Sequence, residues 1–97
     1  MKPEIKTSTW LNGQKMHETP YVNGQRHGLE IWWHLNGQKR HETPYVNGQI
    51  HGLATWWYFD GSLRYVEKWH QSQIVWRIHF PSKGEIPENA EMELCFP

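Results

Sequence analysis

Cysteine occurs once in this 97-residue chain, at Cys95, so no internal disulfide can form, and a lone thiol fits a reducing compartment. Alanine occurs only twice, which removes much of the raw material of helices. Neither sign of charge is in excess: ten Lys/Arg cancel ten Asp/Glu. That balance argues against a nucleic-acid binder, whose affinity comes from excess Lys and Arg meeting phosphates. Long hydrophobic runs are absent too. With a mean hydropathy of −0.84, no segment approaches the roughly 18 apolar residues of a membrane span. Met1 to Lys6 lacks the apolar stretch of a secretory signal. These absences lead us to expect one small soluble cytoplasmic domain over residues 1–97, too short to surround a deep catalytic cleft.

What is present is aromatic and β-branched: seven Trp, four Tyr, three Phe, six Ile, four Val and five Thr. Such side chains suit a pleated, half-buried surface. A repeat organises them. Residues 10–33 (WLNGQKMHETPYVNGQRHGLEIWW) and 34–57 (HLNGQKRHETPYVNGQIHGLATWW) agree at 19 of 24 positions. A worn third copy spans residues 58–81, with Trp69 where the others carry Tyr21 and Tyr45. Asn-Gly, a strong hairpin signal, recurs at Asn12-Gly13, Asn23-Gly24, Asn36-Gly37 and Asn47-Gly48, followed by Asp60-Gly61. The spacing predicts an all-β antiparallel meander of successive hairpins, an elongated single sheet with terminal capping strands and a cap over residues 82–97.

If every turn is a two-residue loop, Trp33 faces Arg40, Gly28 faces Tyr45, Trp57 faces Arg64 and Gly52 faces Trp69. The first and third pairings predict indole–guanidinium contacts, the others an aromatic ring over a strand glycine. Alternation then puts Leu29, Ile31, Trp33 and Leu35 on one face with Leu53, Thr55, Trp57 and Phe59. Trp32, His34, Trp56 and Tyr58 fall on the other. Pro20 and Pro44 each lack a ladder donor, so these segments should bend or sit at an edge there. Glu4 to Leu11 reads as the first strand. Ile74, Trp76, Ile78 and Phe80 read as one face of a late strand, and Ala90 to Phe96 as a last one.

The Tyr-x-Asn-Gly-x-x-x-Gly pattern at Tyr21 to Gly28, repeated at Tyr45 to Gly52, resembles MORN repeats, and the paired Asn-Gly turns look most like the bacterial variant type. The resemblance covers about residues 10 to 70. It implies an elongated sheet of hairpins without enzymatic activity, in a group that includes antitoxin and immunity proteins. Classical members are implicated in protein–protein and phosphoinositide-membrane contacts. The Trp32-Trp33 and Trp56-Trp57 pairs depart from the usual Tyr-rich form.

A search for chemistry among the residues returns little. The register sets His27 and His51 two strands apart, roughly 9–10 Å, too far to share a Zn²⁺ held at about 2 Å per bond. His17 and His41 read as similarly offset. No metal or cofactor is expected. Glu91 and Glu93 would raise the Cys95 thiol rather than activate it, so no catalytic residue is assigned. The candidate protein-binding residues are an aromatic strip of Trp32, His34, Trp56, Tyr58 and Tyr65, rimmed by Lys39 and Glu67, together with Glu91 and Glu93 of the acidic tail. Trp, Tyr and Arg dominate binding hot spots because they bury large areas at low entropic cost. The expected function is therefore noncatalytic: an antitoxin, immunity or inhibitor protein that occludes a protein partner. A membrane-surface or scaffold module binding anionic lipid is the alternative, less favoured by the neutral charge. The open sheet edges also admit a homodimer.

Overall fold

A computed structural model describes residues 3–82 and, as backbone, 91–94. Its strands are β1 (Glu4–Thr9), β2 (Lys15–Val22), β3 (Gln25–Arg26), β4 (Gly28–Trp33), β5 (Lys39–Val46), β6 (Gln49–Ile50), β7 (Gly52–Trp57), β8 (Leu63–His70), β9 (Gln73–His79) and β10 (Glu91–Leu94). They form one open antiparallel sheet in the order β1-β2-β4-β5-β7-β8-β9-β10, with β3 on β2 and β6 on β5. No helix occurs among the described residues. The expected hairpin meander is therefore the fold. The molecule measures 47 × 39 × 14 Å. Its radius of gyration, 15.1 Å, exceeds the about 12.5 Å of a compact domain of this length.

The identical dipeptides make two different turns, one kind at each end of the strands. At Asn23-Gly24 and Asn47-Gly48 both residues take positive φ, 53° and 79°, then 50° and 83°. These are the expected two-residue turns, pairing Tyr21 with Arg26 and Tyr45 with Ile50. At the other end only Gly13, Gly37 and Gly61 have positive φ. There Asn12, Asn36 and Asp60 accept hydrogen bonds through Oδ1 from the amides of Gln14, Gln38 and Ser62, at 2.9–3.0 Å. The loop is a β-turn closed by a glycine bulge, one residue longer than assumed. That correction moves the pairing. Gly28 faces Tyr45 and Gly52 faces Trp69 as expected, but Trp33 faces Lys39 and Trp57 faces Leu63. The indoles instead meet lysines on the neighbouring hairpin, Lys15 at 5.8 Å from the Trp33 ring and Lys39 at 5.9 Å from the Trp57 ring. A sixth turn follows at Gln71-Ser72, in the same left-handed conformation without Asn or Gly. It stands 24 residues after Asn47-Gly48, so the worn third copy keeps the turn geometry of the others.

Between β3 and β4 the strand breaks at His27. Two residues of β2, Thr19 and Pro20, are opposed there by four, His27 to Glu30. Pro20 has no N–H to give; its carbonyl accepts from the His27 amide at 3.0 Å. Gly28, at φ 118°, carries the bulge, and a β-carbon there would lie 2.8 Å from Pro20 Cγ. The positive φ and the closeness of Pro20 together demand a glycine. Pro44, His51 and Gly52 repeat the arrangement.

The third copy has Val75-Trp76 in place of His-Gly and Lys68 in place of proline. Its bulge shrinks to one extra residue: Trp69 faces Ile74 while Lys68 faces Trp76. A one-residue change in register exchanges the faces of a strand. Ile74 thus aligns with the opposite face from Trp76 and Ile78, which corrects the single apolar face expected there. Arg77, at the repeat position of Leu29 and Leu53, comes to lie opposite Glu67.

Adjacent copies are tied at both ends. Asn36 Nδ2 donates to the Phe59 carbonyl at 2.8 Å, as Asn12 does to Leu35 at 3.3 Å. At the other end Gly48 N donates to Arg26 O and Ser72 N to Ile50 O, both at 2.8 Å. His27 and His51 serve here as acceptors, through Nδ1, for the amides of Asn47 and Gln71. They are parts of the scaffold. Cys95 and the rest of the 82–97 cap apart from Ser82 and β10 lie outside the described residues.

Candidate binding face

Opposite pairs across the register define two rows on one face. One row runs Ser8, His17, Trp32, His41, Trp56, Tyr65, His79. Imidazoles and indoles alternate from His17 to Trp56, and Tyr65 and His79 follow, with centroid separations of 4.5 Å for His17–Trp32, 5.9 Å for Trp32–His41, 4.1 Å for His41–Trp56 and 4.9 Å for Tyr65–His79. His17 and His41 are therefore in one row with Trp32 between them, not offset.

The neighbouring row runs Lys6, Thr19, Glu30, Thr43, Ala54, Glu67, Arg77. Its middle five residues, Thr19 to Glu67, are the most buried of the described chain, and Ala54 is the one apolar member. Two of them are carboxylates, and each is furnished with donors, as burial of charge requires. Glu30 accepts from Thr19 Oγ1 at 2.8 Å and from the Trp32 indole at 3.1 Å, with Arg26 Nε at 3.6 Å. Glu67 accepts from the Trp69 indole at 3.1 Å and from Arg77 Nε and Nη2 at 2.7 Å. The signal that could have found these networks is Glu-x-Trp, present at Glu30-Ile31-Trp32 and Glu67-Lys68-Trp69. Alternation places the indole on the face of the carboxylate two residues before it.

His41 has no such carboxylate on the β7 side, where Ala54 stands. Its Nδ1 is buried without a hydrogen-bond partner. Burial pushes its pKa down to about 4, against a smaller opposing pull from Glu30.

Of the expected strip, Trp32, Trp56 and Tyr65 share the ring row. Tyr58 reaches its end: its hydroxyl donates to the Phe80 carbonyl at 2.9 Å and stands 3.5 Å from His79 Nε2. His34 stays at the hairpin end, its Nε2 3.2 Å from the Trp57 carbonyl and its ring edge-on to Phe59. Two rim residues change place. Lys39 is on the opposite face, paired with Glu42, and Glu67 lies buried beneath the row. Glu91 and Glu93 occupy positions opposite His79 and Arg77.

Sequence reasoning missed the arginines. The Arg64 guanidinium lies 5.5 Å from the Tyr58 ring centroid and 5.2 Å from that of Tyr65, and the Arg77 guanidinium lies 5.1 Å from the Tyr65 centroid. Trp56, Arg64, Tyr65, Glu67 and Arg77 line an open pocket of about 210 Å³. Among the described residues no three His, Cys, Asp or Glu side chains converge on a point that could hold a metal ion.

An open hairpin sheet, lengthened by repetition, with aromatic and arginine side chains gathered on one face is the class that these observations define. The sequence family described as MORN repeat variant matches twice, at residues 26–47 and 50–70. The matches begin 24 residues apart, each at the bulge of one copy, and run towards the two-residue turn of the next. A repeat-containing binding or scaffold module is what such a match supports. No curated protein and no solved structure matches the chain.

Proposed function

We propose that this protein is a noncatalytic binding module of the antitoxin, immunity or inhibitor kind, acting in the cytoplasm by covering a working surface of a protein partner. The observation that carries the reading is the Trp56–Arg64–Tyr65–Arg77 pocket at the end of the ring row. It assembles the side-chain types that anchor protein interfaces around a depression open to solvent. Arg64, stacked on two tyrosines, presents a planar fork that a partner carboxylate can engage through two hydrogen bonds. Trp32 and Trp56 would exclude water beside it, and Glu91 and Glu93 would set orientation at the rim.

The test is direct binding to the protein encoded by the neighbouring gene, with inhibition of that protein as the second readout. A stoichiometric complex that weakens about 100-fold or more on Trp56→Ala together with Arg64→Ala supports the reading. Anionic vesicles are the control. Retention on vesicles with no protein complex would replace this reading with the lipid-surface alternative.

A further inference from the structure

Among the described residues nothing covers the face opposite the ring row, and each repeat places an apolar side chain on it. Ile5, Leu29 and Leu53 stand 24 residues apart and are 55%, 41% and 55% exposed. Pro20 and Pro44 lie between them, since Ile5 faces Pro20, Leu29 faces Pro44, and Gly28 abuts Pro20. The result is an unbroken apolar row, Ile5-Pro20-Leu29-Pro44-Leu53, ending at Lys68 opposite Leu53. The next row runs Glu18, Ile31, Glu42, Thr55, Val66, Ile78, all half-buried.

We infer that this face is an interface between two copies of the chain, packed sheet on sheet with a two-fold axis running along the row. Three observations select a second copy as the occupant. First, Ala54 is the one buried apolar residue among those described. A chain of this size without a core of its own usually gains one by association. Second, the row is self-matching: a two-fold axis along it sets each of its side chains against the same residue of the partner, as an isologous interface requires. The charges permit that axis. Lys15–Glu18 and Lys39–Glu42 pair on the same face but to one side of the row. In the two copies they fall on opposite sides of the axis, so like charges do not meet. Third, the area suffices. Less than half of a 47 × 39 Å face supplies the about 800 Å² per partner of a stable interface. A second sheet at about 10 Å turns a layer 14 Å thick into a two-layer sandwich with a dry centre. The ring row and the Arg64 pocket remain outward in both copies, so partner binding and self-association use separate faces.

Sedimentation equilibrium of the intact chain tests this. The expected result is a species of twice the 11.7 kDa chain mass at micromolar concentration. Leu29→Lys combined with Leu53→Lys should weaken self-association about tenfold or more while the β-sheet circular dichroism persists. A wild-type monomer throughout the range, or a dimer indifferent to the double substitution, overturns the inference. Should the double variant unfold, disulfide trapping decides. In a Cys95→Ser background, Leu29→Cys should cross-link two chains, whereas Leu35→Cys at a hairpin tip should not. Absence of cross-linking at position 29 overturns the inference equally. Because the binding test uses Trp56 and Arg64 on the other face, failure of either proposal leaves the other standing.

Discussion

Residues 10–33 and 34–57 are near copies in sequence and unlike in what they bury. Two of their five differences, Arg26/Ile50 and Glu30/Ala54, amount to one: a buried carboxylate and its cation are present together in the first copy and absent together from the second. The row explains the pattern. Position 54 lies between Thr43 and Glu67, so a glutamate there would put two buried carboxylates side by side. In the first copy Glu30 has threonines on both sides. The same backbone slot therefore accepts a charge or a methyl group according to its neighbour across the sheet. His41 bears the consequence, buried beside Ala54 with its pKa lowered.

The comparison can be broken most forcefully in the third copy, which restores a charge pair by another geometry. Arg77→Met strands the Glu67 carboxylate in a buried site. It should cost about 3 kcal/mol of unfolding free energy, read as a shift of the urea midpoint at constant slope. Adding Glu67→Leu should recover much of that, because the uncompensated charge is gone.

Ala54→Glu tests the neighbour rule. It should destabilise by about 2–4 kcal/mol, and Ile50→Arg added to it should recover only part, since Glu67 still abuts the new carboxylate. A neutral result would show that the second copy could have kept the network of the first.

The two bulge glycines sharpen the comparison further. Both sit near φ 120°, but a β-carbon at Gly28 would come to 2.8 Å from Pro20, against 3.3 Å from Pro44 at Gly52. Gly28→Ala should thus lower stability by about 2–3 kcal/mol and Gly52→Ala by about 1–2 kcal/mol, in thermal melts of the two variants.

The smallest effect comes from His41. Its pKa is about 4 when folded and about 6.5 when unfolded, so below pH 6.5 the unfolded chain binds a proton that the folded chain refuses. Stability from this residue should fall as pH drops from about 6.5 to about 4 and then level off. The imidazole keeps a partly exposed edge, which limits the loss to about 1–2 kcal/mol. Urea unfolding at a series of pH values should show that slope in the wild type and lose it in His41→Phe.

Much of the fold was legible in the residues. Five glycine corners and the aromatic, β-branched content specify antiparallel hairpins, and the pairs Gly28–Tyr45 and Gly52–Trp69 followed from counting. The count failed where identical Asn-Gly dipeptides made turns of different length, because a backbone amide donating to the asparagine Oδ1 is an alternative to a second left-handed residue. At the site, alternation brought Trp32, Trp56 and Tyr65 together correctly. It misplaced Lys39 and overlooked Arg64 and Arg77, since each hairpin bulge or strand bulge shifts the phase on which alternation depends.

The order of the strands and the antiparallel sense were determined by the sequence alone, because turn chemistry and β-propensity act over a few neighbouring residues. Which face each side chain occupies, and whether a buried carboxylate has a cation beside it, was decided only in the assembled sheet. Those outcomes depend on the size of a bulge and on the residue across the next strand, separated along the chain by 10 to 13 positions in the buried row, and distances of that kind are set by folding.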